Sequence, residues 1–293
     1  MSSPPPNDLE PPDGSKSADD HVVPAAELAD RTRKLIPGTR WSVNWVDETG
    51  STNADLLADA TGGAPAGAVL VAEFQNAGRG RLDRRWVAPP GSALLLSILL
   101  RPRLGAERVH LAEVAVGLAA ARATEDVAGV HAGLKWPNDL VVGSGAATRK
   151  LGGILAESVV VNGAPTAVVV GIGLNVHLAG KLPAELVGTA TSLDDHAGGR
   201  ALDRVLLLAA LLRNLDALVD LLDSPSGTTR LLDEYRRRCV TVDSRVRVDL
   251  GAEGSIEGVA VGIDDDGHLV VVDDDGASHT VAVGDVVHLR PAG

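Results

Sequence analysis

The chain has 293 residues, 45% of them hydrophobic and 23% charged, with a formal net charge of −12 at pH 7. That length accommodates one large domain and one small one, and the negative balance works against general nucleic-acid binding. Cys239 is the only cysteine, so no intrachain disulfide can form. The N-terminus lacks a signal-peptide pattern and no apolar run is long enough for a bilayer span, which points to a cytoplasmic protein without a membrane partner.

The first 20 residues are rich in Pro, Ser, Asp and Gly, and the stretch 1–37 is expected to be a disordered or extended tail. Too few residues precede the strand-like Trp41–Val46 for an N-terminal DNA-binding module. From 38 to 239 the pattern is mixed. Ser51–Asn53 offers N-cap chemistry to a following helix, ADLLADA. Ala68–Gln75 and Ser92–Leu100 are apolar strands, and Glu107–Val127 has the length and composition of a buried helix. Gly133–Lys135 and Leu140–Val142 flank a WPND turn. Lys150–Val161 and Pro165–Val176 are strands joined by Asn162–Gly163, a hairpin signal that makes them antiparallel. Helices are expected over Leu202–Leu222 and Thr228–Arg238, and short β runs fill 240–293. Five such strands read as a small barrel. Its two DDDG stretches, at 264–267 and 273–276, lack the spacing of a calcium loop and read as turns.

Four segments carry candidate chemistry. Gly78–Trp86 (GRGRLDRRW) packs Arg79, Arg81, Arg84 and Arg85 into nine residues interleaved with glycine. Arginine forks suit phosphate and carboxylate, and glycine lets a ligand approach the main chain. The loop is therefore either an anion site or a solvated basic hairpin, and it matches neither a P-loop nor a dinucleotide fingerprint. Trp86 either packs or stacks on a base. Lys135-Trp136-Pro137-Asn138-Asp139 sets a cation, an amide and a carboxylate on one stiff turn. Lys150–Glu157 (KLGGILAE) and Gly171–Val176 (GIGLNV) place glycines inside apolar strands, where each has a cost and hence a reason. The eight histidines show no metal-ligand spacing, and no nucleophile motif is present. That leaves positioning and electrostatic stabilisation by Arg and Lys.

These segments, in this order and together with Gly50-Ser51-Thr52-Asn53 and Glu73–Arg81, resemble the biotin–protein ligases. The resemblance spans about 40 to 290 and implies an α+β fold. In it, a class II synthetase-like catalytic domain (38–239), with a mixed, largely antiparallel sheet and helices on one side, precedes a small SH3-like β-barrel (240–293). It implies biotin and Mg²⁺·ATP as substrates, biotinoyl-5′-AMP as intermediate, and transfer to one lysine of an apo biotin carboxyl carrier domain. A monomer or weak homodimer is expected. By position, the resemblance assigns Ser51, Thr52, Asn53, Gln75, Arg79, Gly80, Arg81, Lys150, Gly152 and Gly171 to biotin. It assigns Arg79, Arg81, Arg84, Trp86, Lys135, Asn138, Asp139 and Asn175 to ATP or the adenylate, and Lys150, Arg79 and Arg81 to catalysis. No dedicated protein ligand for metal is implied. Asp285 and Arg290 are expected to touch the arginine loop. Asp83 stands where the family loop commonly has glycine, and it is expected to pair with Arg81 or Arg84. The alternative is a lipoate or octanoate ligase or transferase of related fold.

Overall fold

The computed structural model describes residues 23–288 apart from 183, 225, 252–253 and 283. The larger part is a seven-stranded sheet in the order β1-β2-β3-β7-β6-β5-β4. Its strands are β1 (Ser42–Thr49), β2 (Ala68–Gln75), β3 (Ala93–Leu100), β4 (Gly133–Lys135), β5 (Asp139–Val142), β6 (Arg149–Val161) and β7 (Ala164–Asn175). Only β1 and β2 pair in parallel, and α2 (Thr52–Thr61) makes the crossover between them. The remaining neighbours are antiparallel. At the β6–β7 connection Asn162 and Gly163 both take positive φ, 51° and 80°, the geometry of a tight hairpin turn whose twist matches the strands.

Alternation within the central strands decides which face each helix covers. Val69, Val71, Leu94, Leu96, Ile98, Val168, Val170 and Ile172 belong to the main core. Against them pack α3 (Leu111–Ala128), α4 (Arg204–Leu222) and α5 (Gly227–Arg238), with α1 (Ala25–Leu35) at the β1 edge. Most of α3 is apolar, so it is buried on most of its surface, and Gly129 ends it in the left-handed conformation at φ 68°. In α4, the Asp203 side chain caps the first turn by accepting from Val205 N–H at 2.8 Å. On the opposite face Leu70, Leu99, Ala167 and Val169 receive Leu56 and Ala60 of α2. Among the described residues four helices thus share one face, and α2 alone lies on the other.

The extended tail expected over 1–37 does not describe 25–35. Ala25, Leu28 and Ala29 are buried on α1, because the helix has an apolar stripe that the sheet edge can cover. Residues 1–22 lie outside the described part.

The C-terminal part is a five-stranded antiparallel sheet, β11-β10-β9-β8-β12. It is formed by β8 (Arg245–Asp249), β9 (Ser255–Ile263), β10 (Leu269–Asp273), β11 (Ser278–Val281) and β12 (Asp285–His288). Asp264 and Asp273 fold their carboxylates onto backbone N–H groups two and four residues on, which is turn chemistry. The 264–267 turn is wedged against the larger part. Arg236 donates to the carbonyls of Ile263 and Asp264 at 2.9 and 2.8 Å, and Trp136 Nε1 donates to Gly267 O at 3.2 Å.

Candidate active site

The first turn of α2 faces a cavity of about 290 Å³ and forms part of its floor. Ser51 occupies the N-cap position but makes no capping hydrogen bond, so its hydroxyl is left to the cavity. The Thr52 N–H is taken instead by Gln75 Oε1 at 2.8 Å. A row of polar side chains then runs under the cavity. Thr52 Oγ1 lies 2.7 Å from Ser97 Oγ, and Ser97 donates to Asn53 Oδ1 at 2.6 Å. Asn53 Nδ2 donates to Leu155 O at 3.1 Å and Glu157 Oε2 at 2.8 Å. Thr52, Asn53 and Ser97 are buried. Gly171 exists to admit this row: a Cβ there would stand 2.2 Å from Asn53 Oδ1.

Gly78–Trp86 is a hairpin over the cavity. Trp86 N–H donates to Gly78 O at 3.0 Å, Arg79 bridges Arg85, and Gly80 N–H donates to Arg84 O at 2.7 Å. Leu82 and Asp83 sit at its tip with φ of 54° and 56°, so the Asp83 position demands the backbone that glycine adopts most easily. The expected pairing of Asp83 with Arg81 or Arg84 is not formed among the described residues. Arg84 pairs with Asp285, and Arg81 donates to Gly284 O at 3.3 Å, because the small C-terminal sheet stands closer to these heads than the loop tip does. The expected contact of Asp285 with the loop is therefore present, whereas Arg290 lies outside the described residues. Arg79 reaches the other way, to Glu157 Oε2 at 2.9 Å.

Trp86 packs across two glycines that face each other in register on β6 and β7, Gly153 and Gly173. A Cβ on Gly173 would meet the indole at 2.4 Å, and one on Gly153 at 3.0 Å. The Trp86 Nε1 is buried without a hydrogen-bond partner among the described residues. Lys150 Nζ sits 5.7 Å from the Trp86 ring centroid, within cation–π range, and 2.6 Å from Asp139 Oδ1.

Of the residues expected at the site, Ser51, Thr52, Asn53, Gln75, Arg79, Gly80, Arg81, Arg84, Trp86, Asn138, Asp139, Lys150, Gly171 and Asn175 line this one cavity. Asn138 and Asn175 are also tied to backbone, to Ile154 O at 2.7 Å and Thr191 O at 2.9 Å, which fixes the walls they form. Two expectations miss the cavity. Gly152 faces Gly173 O and Leu174 within the sheet, so its neighbour Gly153 takes the lining position. Lys135 lies against a small adjoining hollow with Glu113 and Tyr235, where burial lowers its pKa against the pull of Asp139 and Asp285. Sequence reasoning also passed over Ser97 and Glu157. A lone serine inside ALLLSILL was the available signal for the first. Glu157 was in view as the end of KLGGILAE but had no assigned task. Cys239 is buried, and burial pushes its thiol pKa up, as an inert position requires.

Chemically, the site offers a polar floor, an arginine-rich lid and one lysine in a single cavity within a chain of net negative charge. Comparison with known proteins agrees with that description. Residues 47–175 match the biotin/lipoate A/B protein ligase family, and 241–289 match the biotin protein ligase C-terminal domain. The biotin–[acetyl-CoA-carboxylase] ligase of Mycobacterium tuberculosis is 40% identical over 273 residues, covering 91% of this chain and 97% of that protein. The bifunctional ligase/repressor BirA of Bacillus subtilis is 30% identical over 232 residues, covering 78% of this chain and 69% of that protein. The biotin protein ligase of Aquifex aeolicus, solved in complex with biotin and ATP, superposes with a TM-score of 0.71 at 27% identity, covering 85% of this chain and 99% of that one. The chain belongs to the biotin protein ligases, within the biotin/lipoate A/B protein ligase family. Among the described residues no helix is long and apolar enough to cross a membrane.

Proposed function

We propose that the chain activates biotin with ATP and transfers it to a lysine of a biotin carboxyl carrier domain, in the cytoplasm, acting as a monomer or weak homodimer. The observation that carries this reading is the convergence of the Thr52–Ser97–Asn53 row, the arginine hairpin and Lys150 on one cavity. In the first step a biotin carboxylate oxygen attacks the α-phosphorus of ATP and pyrophosphate leaves. In the second the carrier lysine amine attacks the acyl carbon of the mixed anhydride and AMP leaves. The chain's residues supply placement and charge for both steps.

In this reading Ser51, Thr52, Asn53 and Gln75 hold the ureido ring, with Gly171 giving Asn53 its place. Lys150 sits against the biotin carboxylate and steadies the charge that builds on the α-phosphate. Arg79, Arg81 and Arg84 close over the adenylate, and Trp86, Asn138, Asp139 and Asn175 bound the nucleotide side. Lys135 acts from behind Asp139 and does not contact the ligand directly. Mg²⁺ enters as part of the Mg·ATP substrate. A dithiolane ring in place of the ureido ring would leave the buried floor unpaired, which disfavours lipoate.

Pyrophosphate exchange into ATP tests the reading. Biotin should drive exchange and lipoate should not, and mass spectrometry of the protein with biotin and Mg·ATP should find bound biotinoyl-AMP. Exchange with lipoate alone would overturn it.

A further inference from the structure

One oxygen, Glu157 Oε2, accepts from both Arg79 of the lid, at 2.9 Å, and Asn53 of the floor, at 2.8 Å. Its side chain is three-quarters buried on β6, the strand that also carries Lys150 and Gly153. The consequences for the floor follow from donor counting. Glu157 Oε2 and Leu155 O are both acceptors, so the side of Asn53 that faces them has to be its NH₂ group. Asn53 Oδ1 is thereby turned to Ser97, which spends its one proton there. Ser97 Oγ can then only accept from Thr52 Oγ1, 2.7 Å away; Gln75 Oε1, at 3.2 Å the longer of the two acceptors open to that hydroxyl, already takes the Thr52 N–H. Every hydroxyl proton in the row points toward Glu157, and the Thr52 oxygen is left with lone pairs for a donor in the cavity. A ureido ring carries two such N–H donors.

We propose that Glu157 is a positioning residue that sets the polarity of the biotin seat and ties that seat to the lid. This rests on the reading of the cavity as the biotin site. Its carboxylate makes lid closure and biotin binding one event: a ligand that orders the Thr52–Ser97–Asn53 row steadies the oxygen that Arg79 holds. Glu157→Gln removes the charge: even with its amide oxygen in the Oε2 place it accepts only as a neutral group, so Asn53 loses a charge-assisted hydrogen bond and Arg79 loses its ion pair. The lid's four arginines make its order readable as tryptic cleavage.

The experiment measures biotin-dependent pyrophosphate exchange, thermal melting, and tryptic cleavage of the 78–86 loop with biotin alone. It uses wild type, Glu157→Gln, Glu157→Asp, Arg79→Gln and the Glu157→Gln, Arg79→Gln double variant. Glu157→Gln should raise half-saturation by biotin about tenfold, the cost of one charge-assisted hydrogen bond, with a much smaller change in kcat. Biotin should protect the wild-type loop from trypsin but not the loop of Glu157→Gln. Glu157→Asp, which keeps the charge, should recover part of both effects. In loop protection by biotin alone the double variant should be no worse than Glu157→Gln, since for that readout both cut the same link. A Glu157→Gln protein that melts like wild type yet keeps its biotin half-saturation and loop protection overturns the inference, as do strictly multiplicative single effects on loop protection. If Glu157→Gln does not fold at the assay temperature, Arg79→Gln decides, because its side chain is half exposed. A biotin half-saturation and loop protection unchanged in that variant would overturn the inference too. Wild-type exchange with indifferent variants refutes the Glu157 link alone, whereas absence of biotin-dependent exchange in the wild type refutes the functional reading and this inference with it.

Discussion

Glu113 shows how far a single side chain can depart from its ordinary behaviour. It sits on α3 behind Asp139, with Oε1 buried and unpartnered among the described residues. Burial raises its pKa from 4.5 to about 8, with Asp139 adding to the rise and Arg81 opposing it. Between those two values the folded protein holds a proton that the unfolded chain releases. Stability therefore falls as pH rises from about 4.5 to 8 and levels off above. Glu113→Gln should flatten that slope and gain stability at pH 8, by an amount that urea denaturation at pH 6 and pH 8 resolves. An unchanged slope would place the titrating group elsewhere. Asp83 gives a second prediction at this scale. Its φ of 56° costs an L residue on the order of 1 kcal/mol. Asp83→Gly should remove that cost without loss of an ion pair, so melting should rise slightly while adenylate retention stays as in wild type.

At the scale of elements, two contacts between distant strands and helices decide whether the site exists. Gly171 on β7 makes room for Asn53 at the start of α2, with a Cβ approach of 2.2 Å. Gly171→Ala should push Asn53 out of the Glu157–Ser97 row and weaken biotin binding about tenfold or more, measured by calorimetry. Further back, Arg204 of α4 clamps Glu73 of β2 with two hydrogen bonds, at 2.8 and 2.7 Å, and Trp45 Nε1 donates to the same carboxylate at 2.8 Å. Glu73 is buried. Removing one partner strands the other charge, so Arg204→Met should lower stability by about 3 kcal/mol in urea titrations. Because Glu73 lies two residues before Gln75 on the same strand, the clamp also holds the end of β2 from which the lid departs.

Across the whole molecule, the small C-terminal sheet completes the site it stands beside. Asp285 of β12 pairs with Arg84 of the lid, and the Asp264–Gly267 turn braces Trp136 next to Lys135. The Arg84 side chain is 64% exposed, so its ion pair is worth well under about 1 kcal/mol to folding. Asp285→Ala should accordingly leave the melting temperature nearly unchanged while speeding the release of biotinoyl-AMP, read as labelling of bystander lysines. A large fall in melting temperature with normal adenylate retention would assign Asp285 a purely structural task.

The order of strands and helices was legible because local pattern carries it: Ala68–Gln75, the Asn162–Gly163 turn and the five short C-terminal strands follow from alternation and turn chemistry. The ligand-facing motifs were legible as well, since glycines within apolar strands and arginines within a loop of an acidic chain need a reason. What the sequence could not decide is what depends on contacts between residues far apart in the chain. It did not show that Glu157 would meet both Asn53 and Arg79, separations of 104 and 78 residues, or that Ser97 would join the floor. Nor did it show that Gly152 would turn into the sheet while Gly153 faces the cavity, because a one-residue step in a strand reverses the face and only the pairing register fixes which face is which. The chemistry available to this protein was set by its residue types and their local order, and tertiary structure alone aimed those groups at one another.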